Sequence, residues 1–194
     1  MRRSFKTECE TLAASVRSEL DLDICDPLDP RRLAAHLGIP MHPVSSLRGE
    51  GIPAAVQHVM TEDRSAFSAM TIFPQWPRHR RTIIFNDGKS PARQNSDLAH
   101  ELSHALLLHE PRIAIVNGRR HYNKTEEDEA AWLSGCLLIP RVAALRAATA
   151  GTTTATVAAT YGVSTDMVVW RMNCTGATKQ ADSSRTRLGP NPRA

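Results

Sequence analysis

The chain has 194 residues, 41% of them hydrophobic, which is enough for one domain, or one catalytic domain with a small appendage, around a real core. No stretch approaches the roughly 18 apolar residues of a membrane span, and the basic start Met1-Arg2-Arg3-Ser4-Phe5-Lys6 runs into polar residues rather than an apolar signal region, so a cytoplasmic protein is expected. The formal net charge of +4 is no argument for nucleic acid, because the last eighteen residues set Lys179, Arg185, Arg187 and Arg193 against Asp182 alone and leave the body near neutral.

Phe5, Cys9, Leu12, Val16 and Leu20 recur at helical spacing and predict an amphipathic first helix. Asp29-Pro30, an N-cap followed by a proline at the first helical position, predicts a short second helix that stops at Gly38. From Ile39 to Asn86 the pattern changes to short Val-, Ile- and Phe-rich segments, Val56 to Met60, Ala66 to Phe73 and Arg81 to Asn86, broken by glycines and prolines, and these predict a small sheet of three strands. Ser90-Pro91 starts a helix running to about His109, and Thr125, with Asp128 three residues on, starts another that Pro140 ends. Arg141 to Ala148, Thr153 to Tyr161 and Ser164 to Cys174 read as short helices, and 176–194 as a disordered basic tail. The fold class is therefore α+β. Cys9, Cys25, Cys136 and Cys174 include no Cys-x-x-Cys pair, which argues for reduced thiols and against a zinc ribbon or a disulfide framework.

The chemistry is concentrated in His100-Glu101-Leu102-Ser103-His104. On a helix, residues four apart share a face, so both imidazoles reach one ion and the glutamate beside them points at its open position; this is the pattern of zinc hydrolases. A catalytic zinc wants a third protein ligand. A histidine supplied in the metzincin spacing is excluded, because Leu107 stands at the glycine position and Glu110 at the histidine position, and His109 reads as a helix-end histidine rather than a ligand. The acidic run Glu126 to Glu129 is the suitable alternative. Glu129 shares a face with Leu133, Cys136 and Leu137, and Glu126 lies on a similar azimuth, so geometry leaves those two open, while Glu127 and Asp128 are assigned to solvent or to the helix N-terminus. Glu101 is the expected general base, taking a proton from a metal-activated water and passing it to the leaving amine. His121, Tyr122, Tyr161 and Arg171 are candidates to stabilise the oxyanion, and Asp97 to orient a histidine.

Ile83-Ile84-Phe85-Asn86, the run Leu98 to His109, and Glu129-Ala130 followed by Leu137-Leu138-Ile139-Pro140 together resemble the ImmA/IrrE metallopeptidases. The resemblance implies that the third ligand is the glutamate of a Glu-Ala step eleven residues before a Leu-Leu-x-Pro proline, which is Glu129. It departs at Ser103, where glycine is usual, and at Ala131-Trp132-Leu133, where Asn-x-Phe is commoner. It implies a zincin-like core with a small antiparallel sheet over 1–140, one catalytic Zn2+ on His100, His104 and Glu129, and a helix-turn-helix repressor as the protein substrate, cut to relieve repression.

Ala158 to Ser164, followed by Met167, Val168 and Met172, also has the look of a helix-turn-helix, so 141–175 is read as a helical appendage packed on the core. Its second helix offers only Arg171 as a strong phosphate or base contact, so direct nucleic-acid binding is not expected, nor is a membrane partner. The charge run Arg78-His79-Arg80-Arg81 reads as an exposed loop. The rival function is a DNA-binding or protein-interaction regulator of toxin-antitoxin type with a non-catalytic zinc site.

Overall fold

The first apolar stripe forms helix α1, Phe5–Glu19, with Phe5, Cys9, Ala13 and Val16 buried on one face, in a computed structural model that describes residues 4–47, 67–73, 81–109, 115–116, 119–120 and 123–188. Helix α2, Pro30–His36, begins as its sequence dictates: the Asp29 carboxylate accepts the Arg31 N–H at 2.9 Å and Pro30 fills the first helical position. Gly38, at φ +64°, turns the chain out of α2 through a left-handed conformation that costs glycine nothing.

Strand β1, Met41–Pro43, follows, then a 3-10 turn over Val44–Leu47, β2 over Ala69–Ile72 and β3 over Thr82–Phe85. The order is β1-β3-β2, with β1 parallel to β3 (Met41 opposite Ile83) and β2 antiparallel to it (Thr71 opposite Ile83). The sheet is thus mixed, which corrects the antiparallel expectation. The predicted segment Val56 to Met60 lies outside the described residues, and the third strand is Met41–Pro43, three residues too short for any periodicity, ordered by pairing with β3. Alternation on the strands does the sorting: Ala69, Ile83 and Phe85 face the main core with Leu98 and Leu102, while Met70, Ile72 and Ile84 face Val44, Leu47 and Phe67.

Helix α3, Pro91–Leu106, starts at Ser90, whose hydroxyl accepts the Arg93 N–H at 3.3 Å. It buries Leu98, Ala99 and Leu102 completely; each leucine contributes about 2 kcal/mol of apolar transfer. After the two-residue strands β4, Ile115–Val116, and β5, Arg119–Arg120, helix α4 runs Lys124–Leu138 alongside α3. Its cap is Asn123, whose side chain accepts the Thr125 N–H at 3.1 Å, two residues before the expected Thr125.

Two buried arginines close the far end of α4. Arg17 donates to Leu137 O at 2.6 Å, and Arg171 donates to Ile139 O at 2.8 Å and to Glu10 Oε1 at 2.7 Å. Glu10 also accepts the Arg141 N–H at 2.9 Å and the Cys136 thiol at 3.4 Å. Gly135 lets this end assemble, since a Cβ there would fall into the Trp170 ring, 3.0 Å from its Cη2 and 2.9 Å from Arg171 Cδ.

Helices α5, Arg141–Ala150, α6, Thr154–Tyr161, and α7, Thr165–Thr175, build a second core of Ala143, Ala144, Val157, Ala158, Val163 and Val168 against Ala99 of α3 and Leu138 of α4. Thr153 and Ser164 cap α6 and α7 by accepting the N–H groups of Thr156 and Met167. The tail expected to be disordered instead forms α8, Ala177–Leu188, with Ala177 and Ala181 buried. Its Gly, Ser, Pro and Arg composition hid a pair of alanines at i and i+4, which is all a polar helix needs to lie on a neighbour. Among the described residues no single helix is long and apolar enough to cross a membrane.

Candidate metal centre

His100 and His104 lie one turn apart on α3 and turn the same ring atom, Nε2, toward one point, 3.2 Å from each other. The third donor is Glu127, from the first turn of α4, with one carboxylate oxygen 3.1 Å from His100 Nε2 and the other 3.7 Å from His104 Nε2. Tetrahedral zinc with bonds of about 2.0–2.1 Å separates its ligand atoms by about 3.3–3.4 Å, and the donor atoms of these three side chains all lie within 4.8 Å of one another. The donor set, two imidazoles and a carboxylate, also suits zinc chemically. Among the described residues this is the one group of three such side chains within ligating reach of one another.

Glu129, the ligand expected from the sequence, stands two residues on and faces another way, with its Oε2 3.5 Å from His109 Nε2. His109 in turn meets His104, Nδ1 to Nδ1, at 2.8 Å. The structure therefore brings His100, His104 and Glu127 together and holds Glu129 one residue removed, behind His109. Burial, and after it the neighbouring His100, His109 and Arg81, pushes His104 down to about 4, so its ring is neutral near pH 7 and a lone pair is free for an ion.

Glu101 accepts from the Thr71 hydroxyl of β2 at 2.6 Å and lines the same cleft as His100 and Glu127. This cleft of about 360 Å³ runs between α3 and α4 over the small residues Ser96, Ala131 and Ser134 and ends against Met167 and Trp170 of α7. Asp97 lines it too, but its carboxylate is engaged by Arg93 at 2.9 Å and Lys89 at 3.9 Å rather than by a histidine.

Of the oxyanion candidates, Tyr161 donates to Cys25 O at 2.7 Å and Arg171 is wholly buried in the α4 cap, so neither faces the cleft; His121 and Tyr122 lie outside the described residues. Sequence reasoning missed four contributors. Glu127 was assigned to solvent or to the helix dipole, and His109 to a helix end. Thr71 carries no signal without a fold. Arg81, read as part of an exposed loop, is half-buried and donates to His109 O at 3.2 Å; burial depresses its guanidinium, with Glu101 opposing. As for the helix-turn-helix look, the solvent-facing residues of α7 are Thr165, Asp166, Val169 and Asn173, and its only cation is the buried Arg171.

The model of the peptidase M78 family, described as the IrrE N-terminal-like domain, matches residues 58–173, more than half of the chain. No curated protein and no solved structure matches it. The matched span takes in the paired histidines of α3, the acidic start of α4 and the helices that wall the cleft, and on that match the chain belongs to the IrrE N-terminal-like family of M78 peptidases.

Proposed function

We propose that this chain is a cytoplasmic zinc endopeptidase with a single regulatory protein as its substrate, a helix-turn-helix repressor whose cleavage relieves repression. The observation that carries the metal reading is the convergence of His100, His104 and Glu127, with donor atoms within 4.8 Å of one another, beside an open cleft that His100 and Glu127 line. Zinc held there supplies Lewis acidity toward water and a peptide carbonyl. His100 and His104 would hold it through their Nε2 atoms, and the third ligand is a carboxylate of α4: geometry favours Glu127, whereas the family resemblance, through the Glu-Ala step eleven residues before Pro140, favours Glu129. Glu101, beside the histidines and steadied by Thr71, takes the proton of the attacking water and delivers it to the leaving amine. Ser96, Ala131, Ser134, Met167 and Trp170 shape the groove in which a substrate segment lies. On this reading residues 1–140 are the catalytic unit and 141–175 wall its cleft.

Metal analysis of the purified protein, followed by incubation with a helix-turn-helix repressor encoded beside it, tests the reading. One zinc per chain is expected, with cleavage that chelation or Glu101→Gln abolishes while repressor binding survives. An active Glu101→Gln protein sinks the peptidase mechanism, and a Glu127→Gln protein with full zinc content assigns the third ligand to Glu129.

A further inference from the structure

Helix α3 ends in an unusual way. Leu107 caps it, Leu108 follows in the left-handed region at φ +55°, the Leu108 N–H returns to Ala105 O at 3.1 Å, and the His109 N–H returns to His104 O at 3.0 Å. These two bonds are the Schellman motif, whose left-handed position ordinarily holds glycine because a Cβ is penalised there. Here it holds a leucine with its side chain 84% exposed, so nothing the leucine touches explains the strain. What the motif does achieve is contact between the residue after the turn and the one five positions back, and those two residues are His109 and His104. Their rings meet edge to face, centroids 5.0 Å apart, and Arg81 holds the turn from outside through His109 O.

We propose that His109 is a positioning residue of the metal centre, accepting the Nδ1–H of His104 on its own Nδ1 and directing its Nε2–H at Glu129. This inference rests on the metal reading above. The proton placement follows from the ligand: an imidazole that offers Nε2 to an ion carries its hydrogen on Nδ1, so the partner at 2.8 Å must present a bare Nδ1 and carry its own hydrogen on Nε2. His109 Nε2 lies 3.5 Å from a Glu129 carboxylate oxygen, and both side chains are shielded, 10% and 18% exposed. Metal-bound histidines are commonly oriented by a carboxylate or carbonyl at the far nitrogen. In this chain a histidine is interposed, and Glu129 acts on His104 through it. The strained turn at Leu108 is the local cost of bringing His109 into reach.

Zinc titration of the intact chain against a chromophoric chelator tests this, with the visible spectrum of the cobalt-substituted protein as a second readout. His109→Phe, which keeps the ring's bulk and removes the acceptor, is expected to weaken zinc by about 10–100-fold and to shift the cobalt bands while the unfolding midpoint of the metal-free protein is unchanged. His109→Asn, whose amide oxygen can accept from His104, recovers part of the loss; it also keeps the test alive if the phenylalanine variant fails to fold. Glu129→Gln is expected to retain one zinc per chain with a smaller loss of affinity, and to add nothing in the His109→Phe background. Wild-type affinity in both His109 variants overturns the proposal, and so does a Glu129→Gln protein that no longer binds stoichiometric zinc or whose effect is undiminished without His109. A wild-type chain that takes up no zinc overturns the metal reading, and the positioning role with it.

Discussion

Helix α4 carries charged side chains at both ends, and the ends do different work. At its N-terminus Glu127 and Glu129 meet three histidines, and at its C-terminus Arg17 and Arg171 meet carbonyls and Glu10. Helix polarity permits both, since carboxylates are favoured where N–H groups are unpaired and guanidinium groups where carbonyls are. The difference lies in what the groups aim at. The arginines are fully buried and each gives a main-chain oxygen at least one donor, with Arg171 also bonded to Glu10, tying α1 and α7 to the point where Pro140 ends the helix. The histidines and Glu127 stay partly open and bring their ligating atoms within 4.8 Å of one another beside a cleft. Buried charge marks architecture when it is matched to backbone, and marks chemistry when like donors converge.

The comparison breaks most directly at His104. His104→Ala removes one of the proposed ligands outright, so zinc affinity is expected to fall by more than the roughly 100-fold that losing an orienting partner costs, and cleavage to fall to background. Thermal unfolding of the metal-free protein should be nearly unmoved; a large destabilisation would make the N-terminal cluster architectural after all.

At the other end the signs reverse. Arg171→Met leaves Glu10 and Ile139 O without their cation and is expected to cost about 3 kcal/mol, at the low end for a broken buried pair because the Glu10 side chain keeps 25% exposure. Zinc affinity should hold at the wild-type value. Unfolding measured by denaturant, beside the chelator titration, separates the two readouts, and a loss of zinc in Arg171→Met would show the ends to be coupled. Gly135→Ala lies between them in effect. The new methyl collides with Trp170, so about 1–3 kcal/mol of overpacking is expected, together with weaker substrate binding because Trp170 also walls the cleft.

How much of this was legible in the sequence depends on how local each signal is. Asp29-Pro30, Ser90-Pro91, Thr153 and Ser164 announce helix starts because a cap is satisfied by the next three residues, and each helix begins there. His100 and His104 were legible for the same reason, four residues apart on a helix that buries Leu98 and Leu102. Met41–Pro43 was not, because a three-residue strand exists only through its pairing with Ile83 to Phe85. The choice among consecutive acids was not legible either: which of them meets the histidines depends on how α4 is rotated against α3 and on where His109 has already taken Glu129. Arg171 looked like a free cation on a helix, and only the carbonyls of another helix explain its burial.

The smallest expected effect concerns the thiols. Cys9 lies 1% exposed and Cys136 not at all, the latter at the Arg171 end, and burial first and nearby Glu10 next push the Cys9 thiol up from 9.0 to about 12; Cys136 is raised by burial as well. A thiol that holds its proton more tightly when folded contributes stability that is complete below about pH 9, and that contribution is lost as pH rises from there toward 12. Cys25 and Cys174 are only partly covered. Ellman's reagent at pH 8 is therefore expected to find two of the four cysteines in the native protein and all four in denaturant, because the thiolate is the reacting form. Arg171→Met should open Cys136 to the reagent without touching the zinc site. Rapid labelling of all four thiols in the native wild-type protein would mean that the C-terminal end of α4 is not the dry, purely architectural cluster that sets it apart from the metal end.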